Sequence, residues 1–433
     1  MNKKALSTPI LFSLVLGNMI GTGIYLLPAS LAQYGTISLA AWIYTSIGAV
    51  FLALTFAHLN KRFTKTGGPY AFCKAAYGPF IGFIVAYIYW ASNMVSIAGI
   101  AVASIGYLGF LTPVLDANHI AYQPHLVLLI ELAIVWTFAA INMIDIHAAG
   151  VTQLILTIIK VTPLILITVV GLGHVHLDNI FPLTASHGNA FQAISGAATL
   201  TFWAYIGLET ATVPAENTEG AKSIYIATVF GTLVTGIIYI LSSFVIMGMI
   251  PTQELVHSQF PFSQAGVMLF GTGAAVIIAI CAFISGVGAL NACTLIQGQI
   301  VFAAARDGLF PKIFSKLSKH DVPVAGQILS SVIITILLCL TISPKLMTQF
   351  NMIILLAGVL TLFTYLLCAL AELKLIGFSH LIKKKMNFIP VLACAYSLWM
   401  ILSFDLKTLL ITFILIVCCM PLYFIFFRNK KVC

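Results

Sequence analysis

Apolar stretches long enough to cross a bilayer follow one another along almost the whole chain, joined by short polar connections, and no soluble fold accommodates that pattern. A hydrocarbon core of about 30 Å takes about 20 apolar residues in a helix. By that measure twelve spans fall near 9–34, 37–59, 78–111, 125–144, 149–172, 190–215, 223–249, 267–304, 323–342, 348–373, 387–404 and 407–427. Charged residues are only 8% of the chain, where a soluble domain carries about 25% and needs them to cover its surface. At 61% hydrophobic residues the chain is equally unsuited to disorder. The expected class is an all-α integral membrane protein.

Basic residues sort by loop. With the first residues inside, Lys3, Lys4, Lys61, Arg62, Lys65, Lys74, Lys222, Arg306, Lys312, Lys316, Lys319, Lys374, Lys383, Lys384, Lys385, Arg428, Lys430 and Lys431 fall on the cytoplasmic side. Lys345 and Lys407 fall outside, and Lys160 lies within a span. The asymmetry supports twelve spans with both ends cytoplasmic. The net charge of +9 is thus spent on topology, and without a basic face interleaved with aromatic residues nucleic-acid binding is not expected. The nine cysteines form no CxxC pair, so neither a zinc knuckle nor a disulfide framework is indicated. Loop histidines, including His174 and His176, read as polar residues facing water, and neither a metal nor any other cofactor is expected. The first apolar stretch lacks Ala-x-Ala-like processing and reads as a span.

Two spans carry interruptions in matching places. The first contains Gly17-Asn18-Met19-Ile20-Gly21-Thr22-Gly23-Ile24-Tyr25 and then Pro28; the sixth contains Trp203-Ala204-Tyr205-Ile206-Gly207-Leu208-Glu209-Thr210 and then Pro214. Gly21 to Pro28 and Gly207 to Pro214 have the same spacing of seven. Paired breaks of this kind point to an inverted-repeat transporter with a site at the membrane midplane. Where a helix unwinds, the second half offers N–H groups suited to a carboxylate, and the first half offers carbonyls suited to an ammonium. An α-amino acid carries both groups on one carbon.

These segments, together with Ala303-Ala304-Ala305-Arg306-Asp307-Gly308-Leu309-Phe310-Pro311, Gly67-Gly68-Pro69-Tyr70-Ala71 and Tyr77-Gly78-Pro79-Phe80, resemble the amino acid–polyamine–organocation superfamily. The chain looks closest to the bacterial basic-amino-acid antiporters, with the arginine/agmatine exchanger as the familiar member. The resemblance implies a LeuT-like five-plus-five inverted repeat with broken helices 1 and 6 and two further C-terminal helices. The first repeat would occupy 1–172, the second 190–373, and spans 11 and 12 with a cytoplasmic tail 387–433. It also implies a bacterial inner-membrane setting, alternating access, an amino-acid substrate, protons as a candidate coupling ion, and room for a homodimer. Thr22 and the Gly23 amide would hold the carboxylate, and the carbonyls of Met19, Trp203 and Ile206 the amino group. The side-chain pocket would be formed by Ser92, Asn93, Ile97, Ile100, Trp203, Cys293 and Ala357. Tyr89, Trp203, Glu209 and Tyr365 match the family's gates.

Two departures shape the functional expectation. Ile97, Cys293 and Ala357 replace an Asn, a Trp and a Ser that serve a guanidinium in the arginine exchanger, and a guanidinium without partners would lose several kcal/mol. The pocket therefore reads as suited to a neutral or aliphatic amino acid, with an arginine/agmatine-type antiporter as the alternative. Lys160 stands in mid-span where the arginine exchanger has a small residue. It would serve either as a fixed substitute for a cation or as the carrier of the coupling proton. Glu131 and Glu372 also lie in or at the edge of spans, and reaching an interface or pairing locally explains them best. A channel would need a continuous polar pore, and an intramembrane enzyme a buried nucleophile and base; neither pattern is present, so an enzyme is not expected.

Overall fold

The computed structural model describes residues 5–116, 119–185, 189–320, 322–340, 346–376 and 388–427. Lys3, Lys4, His187, Lys345, Lys383, Lys384, Lys385, Arg428, Lys430, Lys431 and Cys433 lie outside them. Helices are the only regular elements among the described residues, whose single β-type contact is an isolated parallel bridge between Leu6 and Thr218.

The first apolar stretch forms two helices, α1 (Thr8–Met19) and α2 (Gly23–Ala32). Then come α3 (Ser38–Arg62), α4 (Pro69–Tyr77), α5 (Pro79–Gly109), α6 (Pro124–Ile144) and α7 (Ile146–Gly171). The second half opens with α8 (Ala190–Trp203) and α9 (Ala221–Met249), followed by the short α10 (Thr252–Leu255), α11 (Pro261–Phe270) and α12 (Thr272–Arg306). It closes with α13 (Val324–Leu340), α14 (Leu346–Ile376), α15 (Ile389–Leu402) and α16 (Leu406–Phe427).

Local chemistry sets several of these boundaries. Proline opens α4, α5, α6 and α11, where a missing N–H costs nothing. Gly78, at φ 86°, turns the chain between α4 and α5 in a conformation that favours glycine. Asn189 and Gln192 form a reciprocal capping box at the start of α8.

Nine helical segments among the described residues are long and apolar enough to cross a membrane, and α13 and α15 are shorter apolar helices. The sixth expected span, 190–215, is helical only as far as Trp203 and continues as irregular turns and 3-10 segments, so it does not form one continuous crossing helix. The eighth, 267–304, is divided at Gly271 between α11 and α12. The loop motif from Pro69 to Tyr77 forms a helix of its own, α4, which the apolar pattern does not announce.

The broken α1–α2 segment lies at the centre: 89% of its most apolar window is buried, against 22% for α6 and 17% for α16. α1 packs against α7, α9 and α12. Ile155, Ile158, Leu166 and Val169 of α7, with Phe413, Ile414, Phe424 and Ile425 of α16, are exposed. An outer belt of large apolar side chains is what a lipid-facing surface requires.

Candidate substrate site at the two helix breaks

α1 ends because Ile20 turns extended (φ −81°, ψ 96°), and α2 restarts at Gly23. The carbonyls freed here are met by side chains from three helices. Lys160 Nζ of α7 donates to the Gly17 carbonyl at 2.5 Å. The Tyr239 hydroxyl of α9 donates to the Met19 carbonyl at 2.6 Å, and Ser285 Oγ of α12 donates to that of Gly21 at 3.0 Å. Lys160 is fully buried, and its own carbonyl accepts from the Tyr25 hydroxyl of α2 at 3.1 Å. It therefore grips both halves of the broken helix.

The second break follows α8. Gly207 adopts φ 103°, and a Cβ there would lie 2.5 Å from Asn18 Nδ2, so both conformation and space demand glycine. Asn18 Nδ2 donates to Thr210 Oγ1 at 2.7 Å and joins the two breaks directly. Glu209, 1% exposed, accepts from the Tyr89 hydroxyl at 2.5 Å and from the Tyr365 hydroxyl. No basic side chain pairs with it among the described residues.

A cavity of about 20 Å³ lies between the breaks. That is room for about one water and too little for an amino acid, so the site is closed in this conformation. Met19, Ile100, Trp203, Ile206 and Cys293, all singled out in the sequence, are in its wall. The other expected residues stand behind it. Ser92 Oγ is bonded to Thr361 Oγ1 and the Ala357 carbonyl, Asn93 Nδ2 donates to the Cys293 carbonyl, and Ile97 is fully buried. Thr22 Oγ1 is buried without a hydrogen-bond partner. Gly23 lies under the Trp203 ring, where a Cβ would fall 2.0 Å from Cζ3.

Asn18 and Gly21 of the break motif complete the wall together with Ser96 and Ala289, which sequence reasoning missed. Ser96 shares a helical face with Asn93 and Ile100, three residues after one and four before the other, and that spacing is the signal that could have found it. Its hydroxyl is buried and unpartnered, as a group awaiting a ligand would be.

Of the remaining acids, Glu372 pairs with His58 Nδ1 at 3.3 Å, while Glu131 is buried without an ion pair among the described residues. Toward the end of the molecule rich in Lys and Arg, charged pairs hold the segments together. Arg306 makes a bidentate contact with Glu216 at 2.8 and 2.9 Å, and Lys74 Nζ lies 2.6 Å from Asp307, which also accepts from the Tyr70 hydroxyl. The hydrogen-bonded Arg306 guanidinium holds the Glu216 carboxyl below the usual carboxylate range.

The sequence profile of the amino acid permease family matches residues 6–432. The chain belongs to that family. Among its relatives, the putrescine transporter PotE of Escherichia coli (strain K12) is 30% identical over 400 residues, covering 90% of this permease and 89% of the relative. The putrescine transporter PotE of Haemophilus influenzae is 29% identical over 394 residues, covering 89% and 88%. The cadaverine/lysine antiporter of Escherichia coli (strain K12) is 30% identical over 331 residues, covering 75% and 72%. The permease is a multi-pass membrane transport protein related to antiporters.

The expectation of a neutral or aliphatic substrate is not supported by these relatives, which are named for diamines and for lysine. The physical reason is that apolar walls do not select against cations with a methylene chain. Such a chain packs against Ile and Met side chains as readily as a leucine does, and only its terminal ammonium needs polar partners.

Proposed function

We propose that the permease exchanges cationic amines, a basic amino acid or a diamine, by alternating access across a bacterial inner membrane. The observation that carries this reading is Glu209: a buried carboxylate in the second break, held by two tyrosine hydroxyls, with no basic side chain paired to it among the described residues. Burying such a charge is costly unless a positive group arrives to pair with it, and a cationic substrate supplies one. The names of the relatives support the same substrate class.

In this reading Thr22 and the Gly23 amide take the carboxylate of an amino-acid substrate, once the Trp203 ring swings away. The carbonyls of Met19, Trp203 and Ile206 take its amino group. Ser92, Asn93, Ile97 and Ala357 shape the pocket from behind Ile100 and Cys293. Tyr89, Trp203, Glu209 and Tyr365 act as gates, and Lys160 serves as a fixed cation or a proton carrier. The architecture proposed is twelve spans in two inverted repeats of five, 1–172 and 190–373, followed by 387–433. The matched breaks and the loop charge asymmetry favour it, with both ends cytoplasmic.

Counterflow into proteoliposomes tests the function. Labelled lysine, ornithine or putrescine should be taken up against an internal load of the same compounds, and Glu209→Gln should abolish the uptake. Competition by leucine-like amino acids, with no effect of lysine, ornithine or putrescine, would overturn the cationic reading.

A further inference from the structure

Cys73 of α4 and Cys368 of α14 are 295 residues apart in sequence, yet their sulfur atoms lie 3.5 Å from each other and both residues are fully buried. The Cys368 thiol also points at the Pro69 carbonyl, 3.7 Å away, at the start of α4. Two features make this contact more than packing. α4 belongs to the assembly that fastens the Lys/Arg-rich end, through Tyr70 and Lys74 to Asp307. Cys368 is three residues beyond Tyr365, one helical turn from the hydroxyl that holds Glu209. A bond between the two sulfurs would tie that fastening directly to the helix bearing the gate.

We propose that Cys73 and Cys368 form a modification site: a dithiol that a thiol-selective two-electron oxidant closes to a disulfide, arresting the exchange cycle. The arrest rests on the transport reading above; the site itself does not. A disulfide bond is about 2.05 Å long, so the sulfurs need approach by only about 1.5 Å, which side-chain rotation and small backbone adjustments can supply.

Burial shields both thiols while the end is fastened, so reaction begins when it opens. With an azo oxidant such as diamide, the first exposed sulfur adds to one nitrogen of the N=N bond, and its proton passes to the other nitrogen. When the end closes again, the second sulfur attacks the first. The S–S bond forms, the S–N bond breaks, and the reduced hydrazine leaves with the second thiol proton. Two sulfurs are oxidised and one azo group is reduced.

The test treats the full chain in proteoliposomes with diamide and reads two results. Mass spectrometry after digestion should find the Cys73 peptide joined to the Cys368 peptide, two hydrogens lighter than the reduced pair. Counterflow should be lost and should return with dithiothreitol. Cys73→Ser and, separately, Cys368→Ala should transport in reducing buffer and keep transporting after diamide. Absence of the joined peptide overturns the site. A joined peptide with undiminished counterflow, or inhibition that persists in both variants, overturns the arrest. Failure of the transport reading is distinguishable, because the untreated chain would then show no counterflow while the joined peptide still decides the site.

Discussion

The Tyr239 hydroxyl donates to the Met19 carbonyl at 2.6 Å and lies 3.1 Å from the carbonyl of Ala204, so one side chain of α9 spans the last turn of α1 and the first residue beyond α8. Tyr239→Phe keeps the ring and removes this link. Leaving a buried carbonyl unmet costs about 1–3 kcal/mol. The expected result is a lower thermal midpoint and weaker substrate binding, measured in detergent and by competition. Wild-type values for both would show that the link holds nothing.

Lys160→Met should reduce counterflow on the order of tenfold or more, the ratio that about 1.4 kcal/mol produces. The ammonium is the donor that meets the Gly17 carbonyl, and methionine retains much of the volume without it. The pH profile separates the two roles. A proton carrier gives uptake that varies with pH and a variant whose profile is flat; a fixed cation gives the same proportional loss at every pH. Undiminished counterflow in the variant would remove both.

Gly23→Ala places a methyl group 2.0 Å from Trp203 Cζ3, and a planar ring has no flexible end to yield. The ring must rotate away from the break. Intrinsic fluorescence should change, and because the same ring movement is what substrate entry requires, substrate affinity should change with it; Trp203→Leu in the same chain should remove both effects of Gly23→Ala. Unchanged fluorescence and affinity in Gly23→Ala would contradict the placement of the ring.

Acid should loosen the end fastened by Arg306 and Glu216. The Glu216 carboxyl is lowered in the paired state, so its contribution is complete above the ordinary value of 4.5 and is lost as pH falls below that, through the lowered value. Both partners are more than a third exposed, so the pair contributes about 0.5–1 kcal/mol. Thermal midpoints of the wild type and Glu216→Gln should differ at neutral pH and converge well below pH 4.5. A constant difference across that range would count against the assignment.

Both breaks were legible in the sequence because glycine and proline interrupt otherwise unbroken apolar runs, and helix α1 does stop at Met19 and α8 at Trp203. The contacts between the breaks were not legible. Asn18 and Thr210 are 192 residues apart, Tyr239 and Met19 are 220 apart, and no periodicity records which hydroxyl meets which carbonyl. α4 was hidden for another reason: nine residues between Gly68 and Gly78 are too few for an apolar pattern to declare itself. The charge class now proposed for the substrate was not legible either, since side-chain types such as Ile100 and Ile206 suit a methylene chain whatever terminates it.

Lys160 holds α1 with its side chain and α2 with its main chain, accepting from Tyr25. Mutagenesis at position 160 can cut only the first of these, because every replacement residue brings a carbonyl of its own. The second can be cut only from the far side, by Tyr25→Phe. Two substitutions 135 positions apart are therefore the two separate handles on one residue. Used singly, each removes one of the two Lys160 contacts and leaves the other, while Thr157 Oγ1 still meets the Ser13 carbonyl of α1, so the contribution of Lys160 to each half can be measured apart from the packing around it.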